Sequence, residues 1–137
     1  MELKNIAKIH SGYINRGKID PRDDGTCFLL QAKDVDADHL SYRTDALVRF
    51  MPTLSGKDWF LKPGDILFMA RGARNFSVLI DKLPDSVLAA ACFFVVRISN
   101  SEILPDYLCW YLNQSPVEEY LKRFSGRGVH MPVVRRA

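Results

Sequence analysis

Three loops of the sequence concentrate arginine, lysine and asparagine, side chains that can bind nucleic acid. The first loop carries Arg16 and Lys18, and the second carries Arg71, Arg74 and Asn75 within five residues that include no acid. Arginine can donate two hydrogen bonds to a guanine edge, and asparagine can pair in the same bidentate way with adenine. The second loop separates two predicted strands, and loops held by a rigid sheet commonly carry recognition residues.

A third basic segment follows the last predicted helix and contains Arg127 and His130, with Arg135 and Arg136 beyond them. Residues 118–137 include five Lys or Arg and two Asp or Glu. The formal net charge of the whole chain is only +3, so the clustering of the basic residues, rather than their excess, favours a DNA-binding face. The alternative for each of these side chains is an ordinary solvated loop charge.

Residues 12–19 are similar to a phosphate-binding P-loop, but the chemistry does not fit. The segment from Gly12 to Gly17 and Lys18 has the spacing of a P-loop, but Ile19 stands where a Ser or Thr hydroxyl would bind Mg²⁺. A helix would also have to begin at the lysine so that its amides face the phosphates, and Pro21 disfavours that. The sequence therefore argues against a nucleotide site.

Residues 34–45 place aspartates at the spacing of a calcium loop's ligands. The aspartates are Asp34, Asp36, Asp38 and Asp45. The sixth position of such a loop needs glycine for its sharp turn and holds His39 here, and the twelfth position lacks the bidentate glutamate. A solvated acidic loop explains this segment better.

The remaining candidates for chemistry are Cys27, Cys92, Cys109, His10, His39 and His130. No pair has zinc-ligand spacing, and no catalytic motif stands out, so we expect no catalytic residue, metal or cofactor. Three widely spaced cysteines fit reduced thiols in a cytoplasmic protein. A small α+β enzyme that uses Cys27, or His10 with Asp20, stays open as an alternative, because such residues meet only in space.

The composition indicates one globular domain. Of the 137 residues, 47% are hydrophobic and 26% are charged, which excludes a wholly disordered or collagen-like chain. The longest apolar stretch, residues 87–96, is far shorter than the ~20 residues that a membrane helix needs. The N-terminus lacks the apolar core of a signal peptide.

Apolar runs bounded by turn residues predict strands over residues 3–9, 26–32, 46–50, 65–71, 76–82 and 90–98. Residues 11–25 and 34–44 are polar and predict loops. Pro63 and Gly64 form a turn before the fourth strand. The last three strands have short connections, which favours antiparallel pairing.

The last third of the sequence changes to a helical period. Leu104, Leu108, Tyr111 and Leu112 fall on one helical face, with Pro105 in the first turn. A second helix is predicted from Ser115, which forms a capping-box pattern with Glu118. Its apolar stripe consists of Val117, Leu121 and Phe124.

Several short motifs occur in a familiar order along nearly the whole chain. They are residues 3–12 (Leu-Lys-Asn-Ile-Ala-Lys-Ile-His-Ser-Gly), 32–35 (Ala-Lys-Asp-Val), 61–67 (Leu-Lys-Pro-Gly-Asp-Ile-Leu), 71–72 (Arg-Gly), 103–108 (Ile-Leu-Pro-Asp-Tyr-Leu), 125–126 (Ser-Gly) and 131–134 (Met-Pro-Val-Val). This arrangement resembles a target recognition domain of the specificity (S) subunit of a type I restriction-modification system.

The resemblance implies an α+β fold with a curled, mostly antiparallel sheet and two C-terminal helices packed against it. It also implies sequence-specific binding to double-stranded DNA without an active site, because methylation and cleavage belong to the methyltransferase and restriction subunits of the complex. We expect residues 1–137 to form a single recognition domain, truncated before the family's spacer helix. A protein-interaction module that does not touch nucleic acid is a further alternative.

Overall fold

The computed structural model describes residues 5–14, 18–54, 58–72 and 74–114. The strands in these ranges are β1 (Ala7–Ser11), β2 (Cys27–Leu30), β3 (Val35–Asp36), β4 (Ser41–Tyr42), β5 (Val48–Phe50), β6 (Ile66–Met69), β7 (Ser77–Leu79), β8 (Val87–Ala89) and β9 (Phe93–Ile98). The helix α1 is Pro105–Leu112, and a 3₁₀ turn, Ala32–Asp34, precedes β3.

The strands form three sheets with mostly antiparallel pairing. A four-stranded antiparallel sheet has the order β1-β9-β6-β7, a three-stranded sheet has the order β5-β2-β8, and β3 pairs with β4. The parallel pair is β2 with β8, which a long crossover connects. The predicted mixed α+β class with mostly antiparallel pairing is confirmed, but the strands are divided among separate sheets instead of one curled sheet.

The middle of the four-stranded sheet is buried on both faces, which explains the continuous apolar sequence of β6. Ile66 and Phe68 of β6 pack toward the helix, in one cluster with Leu108. Leu67 alternates to the other face and packs against Leu30 of the three-stranded sheet. The order of layers is therefore helix, four-stranded sheet, three-stranded sheet, and β6 lies in the middle of the core.

The turn before β6 is built as the sequence predicts. Gly64 has a φ of +96°, a left-handed conformation that glycine adopts without a steric penalty. Its N–H donates to the carbonyl of Ile80 at 2.8 Å, and the Asp65 carboxylate accepts from the N–H of Lys62 at 2.8 Å. These bonds fix the start of β6 and the segment after β7 against each other.

Some strand predictions need correction. β1 extends to Ser11, beyond the predicted end at residue 9, and the region 34–44, predicted as a loop, contains the β3–β4 hairpin. β8 is missing from the prediction because residues 87–96 form one apolar run that conceals the turn between β8 and β9. Ser86, with a φ of 62°, turns the chain into β8.

The helix over residues 105–112 is confirmed, with Pro105 in its first turn, but its predicted apolar face is partly wrong. Leu108, Cys109 and Leu112 are buried, whereas Leu104 is 69% exposed and Tyr111 is 47% exposed. Leu104 is the N-cap residue with extended backbone, so it lies outside the helical face.

The C-terminal end of α1 is attached to the sheet by Asn113. Its side-chain oxygen accepts from the N–H of Ser77 at 2.7 Å, and its amide donates to the carbonyl of Ser77 at 2.9 Å. The second helix predicted from Ser115, with its capping box, lies outside the described residues. Of the two expected C-terminal helices, the described ranges therefore contain only α1. Within those ranges, no helix is long and apolar enough to span a membrane.

Candidate nucleic-acid interface

The loop between β6 and β7 has a rigid base. The N–H groups of Ala70 and Arg71 both donate to the carbonyl of Cys92, at 2.8 and 3.1 Å. The N–H of Met69 donates to the carbonyl of Phe76 at 2.8 Å, which closes the loop from its other side. The loop emerges from an interior strand of the buried sheet, and these bonds hold its two ends.

Arg71 and Arg74 are both exposed on this loop. Arg74 Nη1 lies 3.2 Å from Asp38 Oδ1, and the two side chains are 54% and 84% exposed. The basic β6–β7 loop therefore stands beside the acidic turn between β3 and β4. The two segments were separate features in the sequence, and only the fold brings them together.

Asn75 does not share the exposed position of the two arginines. Its side chain is buried, with the residue 4% exposed, and its amide donates to the carbonyl of Met69 at 2.7 Å. Asparagine in a turn commonly satisfies nearby backbone groups in this way. The expectation that Asn75 reads a base therefore has to be corrected: Asn75 shapes the loop that presents the arginines.

The other sequence candidates are less informative. Lys18 is exposed in the segment between β1 and β2. Arg16, Arg127 and His130 lie outside the described residues, as do Arg135 and Arg136. Of the candidates in the described ranges, Arg71 and Arg74 share one loop with Asn75 as their support, whereas Lys18 belongs to a different segment.

The β3–β4 hairpin beside the basic loop is anchored by Tyr42. The Tyr42 hydroxyl accepts from the N–H groups of Asp81 and Lys82, at 3.0 and 2.8 Å, and donates to the Asp81 carboxylate. Burial, followed by this hydrogen bond, raises the pKa of Tyr42, and the same bond lowers the pKa of Asp81. The hairpin is thus fixed to the segment that follows β7.

The turn of the hairpin is ordered by Asp36. Its carboxylate accepts from the N–H groups of Asp38 and His39, at 2.9 and 3.3 Å, and lies 2.7 Å from His39 Nδ1. The hydrogen bond to Asp36 raises the pKa of His39 and lowers the pKa of Asp36. Asp38 therefore projects from a turn with its own internal bonds.

A stacked cluster at the edge of the four-stranded sheet was not evident from the sequence. The rings of His10 and Trp59 stack with centroids 4.7 Å apart, and the Arg97 guanidinium carbon lies 4.6 Å from the Trp59 ring centroid. Arg97 also donates two hydrogen bonds to Asp65, each 2.8 Å long. Burial is the main cause of a lowered pKa at His10, and Asp65 raises the pKa of Arg97. The partners are far apart in sequence, so their spacing carries no signal.

The surroundings of the cysteines and of His10 weaken the alternative that the chain is a small enzyme. Cys27 is buried in the core, and Cys109 is buried with its pKa raised to about 11 by desolvation. Burial also raises the pKa of the half-buried Cys92. Because the thiolate is the nucleophile, raised thiol pKa values disfavour cysteine catalysis. His10, the other candidate, is engaged in the stack with Trp59.

Comparison with known proteins identifies the fold. The sequence matches no protein-family description and no curated protein. The structure is similar to the crystal structure of the HsdS subunit from Thermoanaerobacter tengcongensis, with a TM-score of 0.62 and 15% sequence identity. The similarity covers 99% of this chain and 30% of that chain, so the chain spans about a third of the subunit's length. The fold of this chain is therefore of the kind found in an HsdS subunit, as the order of its short motifs predicts.

Proposed function

We propose that this chain is a target recognition domain that binds double-stranded DNA in a sequence-specific manner, as part of a type I restriction-modification specificity subunit. The observation that carries the proposal is the placement of Arg71 and Arg74, exposed on a loop with a rigid base, in an HsdS-like fold.

A loop whose ends are fixed suits the reading of a DNA base better than a fully flexible loop would. A recognition side chain has to be held close to its productive geometry, which backbone hydrogen bonds on both sides of the loop favour. Arg71 and Arg74 lie three residues apart on a short loop, and guanidinium groups bind the acceptor pair of guanine in the major groove. Their charge also attracts the phosphate backbone, which contributes most of the non-specific affinity.

Under this proposal, the chain itself has no catalytic activity. The methyltransferase subunit and the restriction subunit of the complex would carry out methylation and cleavage, and this domain would direct them to a sequence. The three cysteines are free thiols in the structure, which fits a cytoplasmic setting for the complex.

A second candidate function, protein binding without DNA, is favoured by one feature of α1. Its outer face carries exposed aromatic side chains, Tyr107, Trp110 and Tyr111, next to exposed Leu104. Contiguous exposed apolar side chains often mark protein contacts. In the proposed complex such a face would meet a partner subunit, so the feature is compatible with DNA recognition by the β6–β7 loop.

Selection from a library of randomised duplexes tests the proposal. The chain is immobilised, bound duplexes are recovered and sequenced, and the affinity for the enriched sequence is measured at several salt concentrations. We expect one short sequence to be enriched and its affinity to fall as salt rises, because phosphate contacts release counterions. No enrichment, together with no salt-dependent affinity for any duplex, would refute DNA recognition and favour the protein-binding candidate.

A further inference from the structure

The ion pair between Arg74 and Asp38 connects two loops that are separately ordered. Arg74 belongs to the β6–β7 loop, whose base is fixed by Asn75 and by the carbonyl of Cys92. Asp38 belongs to the β3–β4 turn, which Asp36 orders by accepting its N–H. Since both partners project from fixed backbones, the pair aligns the guanidinium before any ligand arrives.

The pair uses only one side of the Arg74 guanidinium. Asp38 Oδ1 contacts Nη1, 3.2 Å away. In the same structure, Arg22 and Arg97 bind Asp24 and Asp65 through the other edge, formed by the Nε and Nη2 donors. That edge, which binds planar acceptor pairs, is the one that the Asp38 contact leaves available on Arg74.

Asp38 also changes what the available edge can bind. Its carboxylate places a negative charge beside the guanidinium, and this charge repels a DNA phosphate near Nη1. A guanine edge presents two uncharged acceptors, O6 and N7, whose partial charges the carboxylate repels less than it repels the full charge of a phosphate. The geometry therefore favours a base edge over a phosphate as the ligand of Arg74.

We propose that Asp38 is a positioning residue that turns Arg74 from a phosphate contact into a reader of guanine, and so determines specificity. The inference rests on the proposed DNA-binding function. It assigns a role to the acidic turn, which the sequence alone indicates to be a solvated loop. An exposed ion pair contributes little to stability, so either partner can be replaced without unfolding the domain.

The test compares base preference in four proteins, using the same library of randomised duplexes. They are the wild-type chain, Asp38→Ala, Arg74→Ala and the double variant. We expect Asp38→Ala and Arg74→Ala each to reduce the preference for guanine at one and the same base pair by at least about 5-fold, with the other positions unchanged. The double variant should resemble Arg74→Ala, because Asp38 acts through Arg74.

Non-specific binding provides a second readout. Asp38→Ala should raise the affinity for a scrambled duplex by about 1.5- to 5-fold, the range expected for releasing an exposed charge pair. The salt dependence of that binding should steepen by about one phosphate contact. Asp45→Ala is the matched control, because Asp45 is an exposed partner of Arg43, at 3.7 Å, on the strand-to-strand segment that follows the hairpin.

The outcomes separate the inference from the proposed function. If the wild-type chain selects a sequence but Asp38→Ala keeps the same guanine preference as Asp45→Ala, the role of Asp38 is refuted and DNA recognition stands. The same conclusion follows if Asp38→Ala affects binding equally in the Arg74→Ala background. If the wild-type chain binds no duplex in a salt-dependent way, both proposals fail.

Discussion

Replacing Asp65 with alanine should strongly destabilise the domain, because this carboxylate holds several groups together. Asp65 is 2% exposed and accepts two hydrogen bonds from Arg97 and one from the N–H of Lys62. Arg97 in turn stacks on Trp59 and donates to the carbonyl of Phe60 at 2.9 Å. Removal of Asp65 therefore leaves a mostly buried guanidinium and a backbone N–H without their acceptor.

The expected loss is about 3 kcal/mol of unfolding free energy. Breaking a buried ion pair at one partner costs roughly 3–5 kcal/mol, and the lower end applies because the Arg97 side chain is 26% exposed and retains some solvation. The double variant Asp65→Ala with Arg97→Met should recover part of this loss, because it removes the unpaired charge and keeps an apolar side chain on Trp59.

Urea denaturation at neutral pH measures both variants, followed by tryptophan fluorescence. Asp45→Ala is the control, since its exposed pair with Arg43 should contribute no more than about 1 kcal/mol. A loss below about 1 kcal/mol for Asp65→Ala, equal to the control, would show that the Asp65–Arg97 pair does not hold this part of the fold.

Three further predictions follow from burial and protonation. In urea denaturation, Leu108→Ala should cost roughly 2–5 kcal/mol of unfolding free energy because it leaves a cavity, whereas Leu104→Ala should change it by no more than about 0.5 kcal/mol. Equal effects of the two substitutions would contradict the assigned buried face of α1. Because burial lowers the pKa of His10, the unfolded chain binds more protons below pH 6.5, so the His10 contribution to stability is complete above that pH and is lost as the pH falls through the lowered folded value. His10→Gln should make stability depend less on pH below pH 6.5. His39, whose pKa is raised, contributes with the opposite sign, and its contribution is subtracted. A pH dependence that is the same in wild type and variant would contradict the burial of His10. A thiol reagent should modify Cys27 and Cys109 only after unfolding, and rapid labelling of either in the native protein would contradict its buried position.

The sequence predicts the strands and the helix wherever a local pattern is sufficient. The apolar runs around β6 and β9 and the Pro63–Gly64 turn mark buried strands, and Pro105 marks the start of α1. β8 is missed because it belongs to the same apolar run as β9. The helix face is partly mistaken because the extended N-cap residue Leu104 fits the helical spacing without joining the helix.

The residues of the candidate site also differ in whether the local sequence is sufficient to predict their surroundings. Arg71 and Arg74 could be predicted as exposed loop residues from their type and position. The buried state of Asn75 depends on its hydrogen bond to Met69, which a count of residue types does not reveal. The neighbour of Arg74, Asp38, is 36 residues away in sequence, and only tertiary structure brings it to the loop.

DNA recognition by the β6–β7 loop is tested by the affinity of Arg71→Ala and Arg74→Ala variants for the selected duplex and a scrambled one, across several salt concentrations. Arg22→Ala is the matched control, because Arg22 is exposed and paired with Asp24 in a different loop. If each loop arginine reads a base, its removal should weaken specific binding by about 1–3 kcal/mol and leave scrambled binding almost unchanged. If neither affinity nor salt dependence differs from those of Arg22→Ala, the β6–β7 loop does not contact DNA, and it is not the recognition surface of this domain.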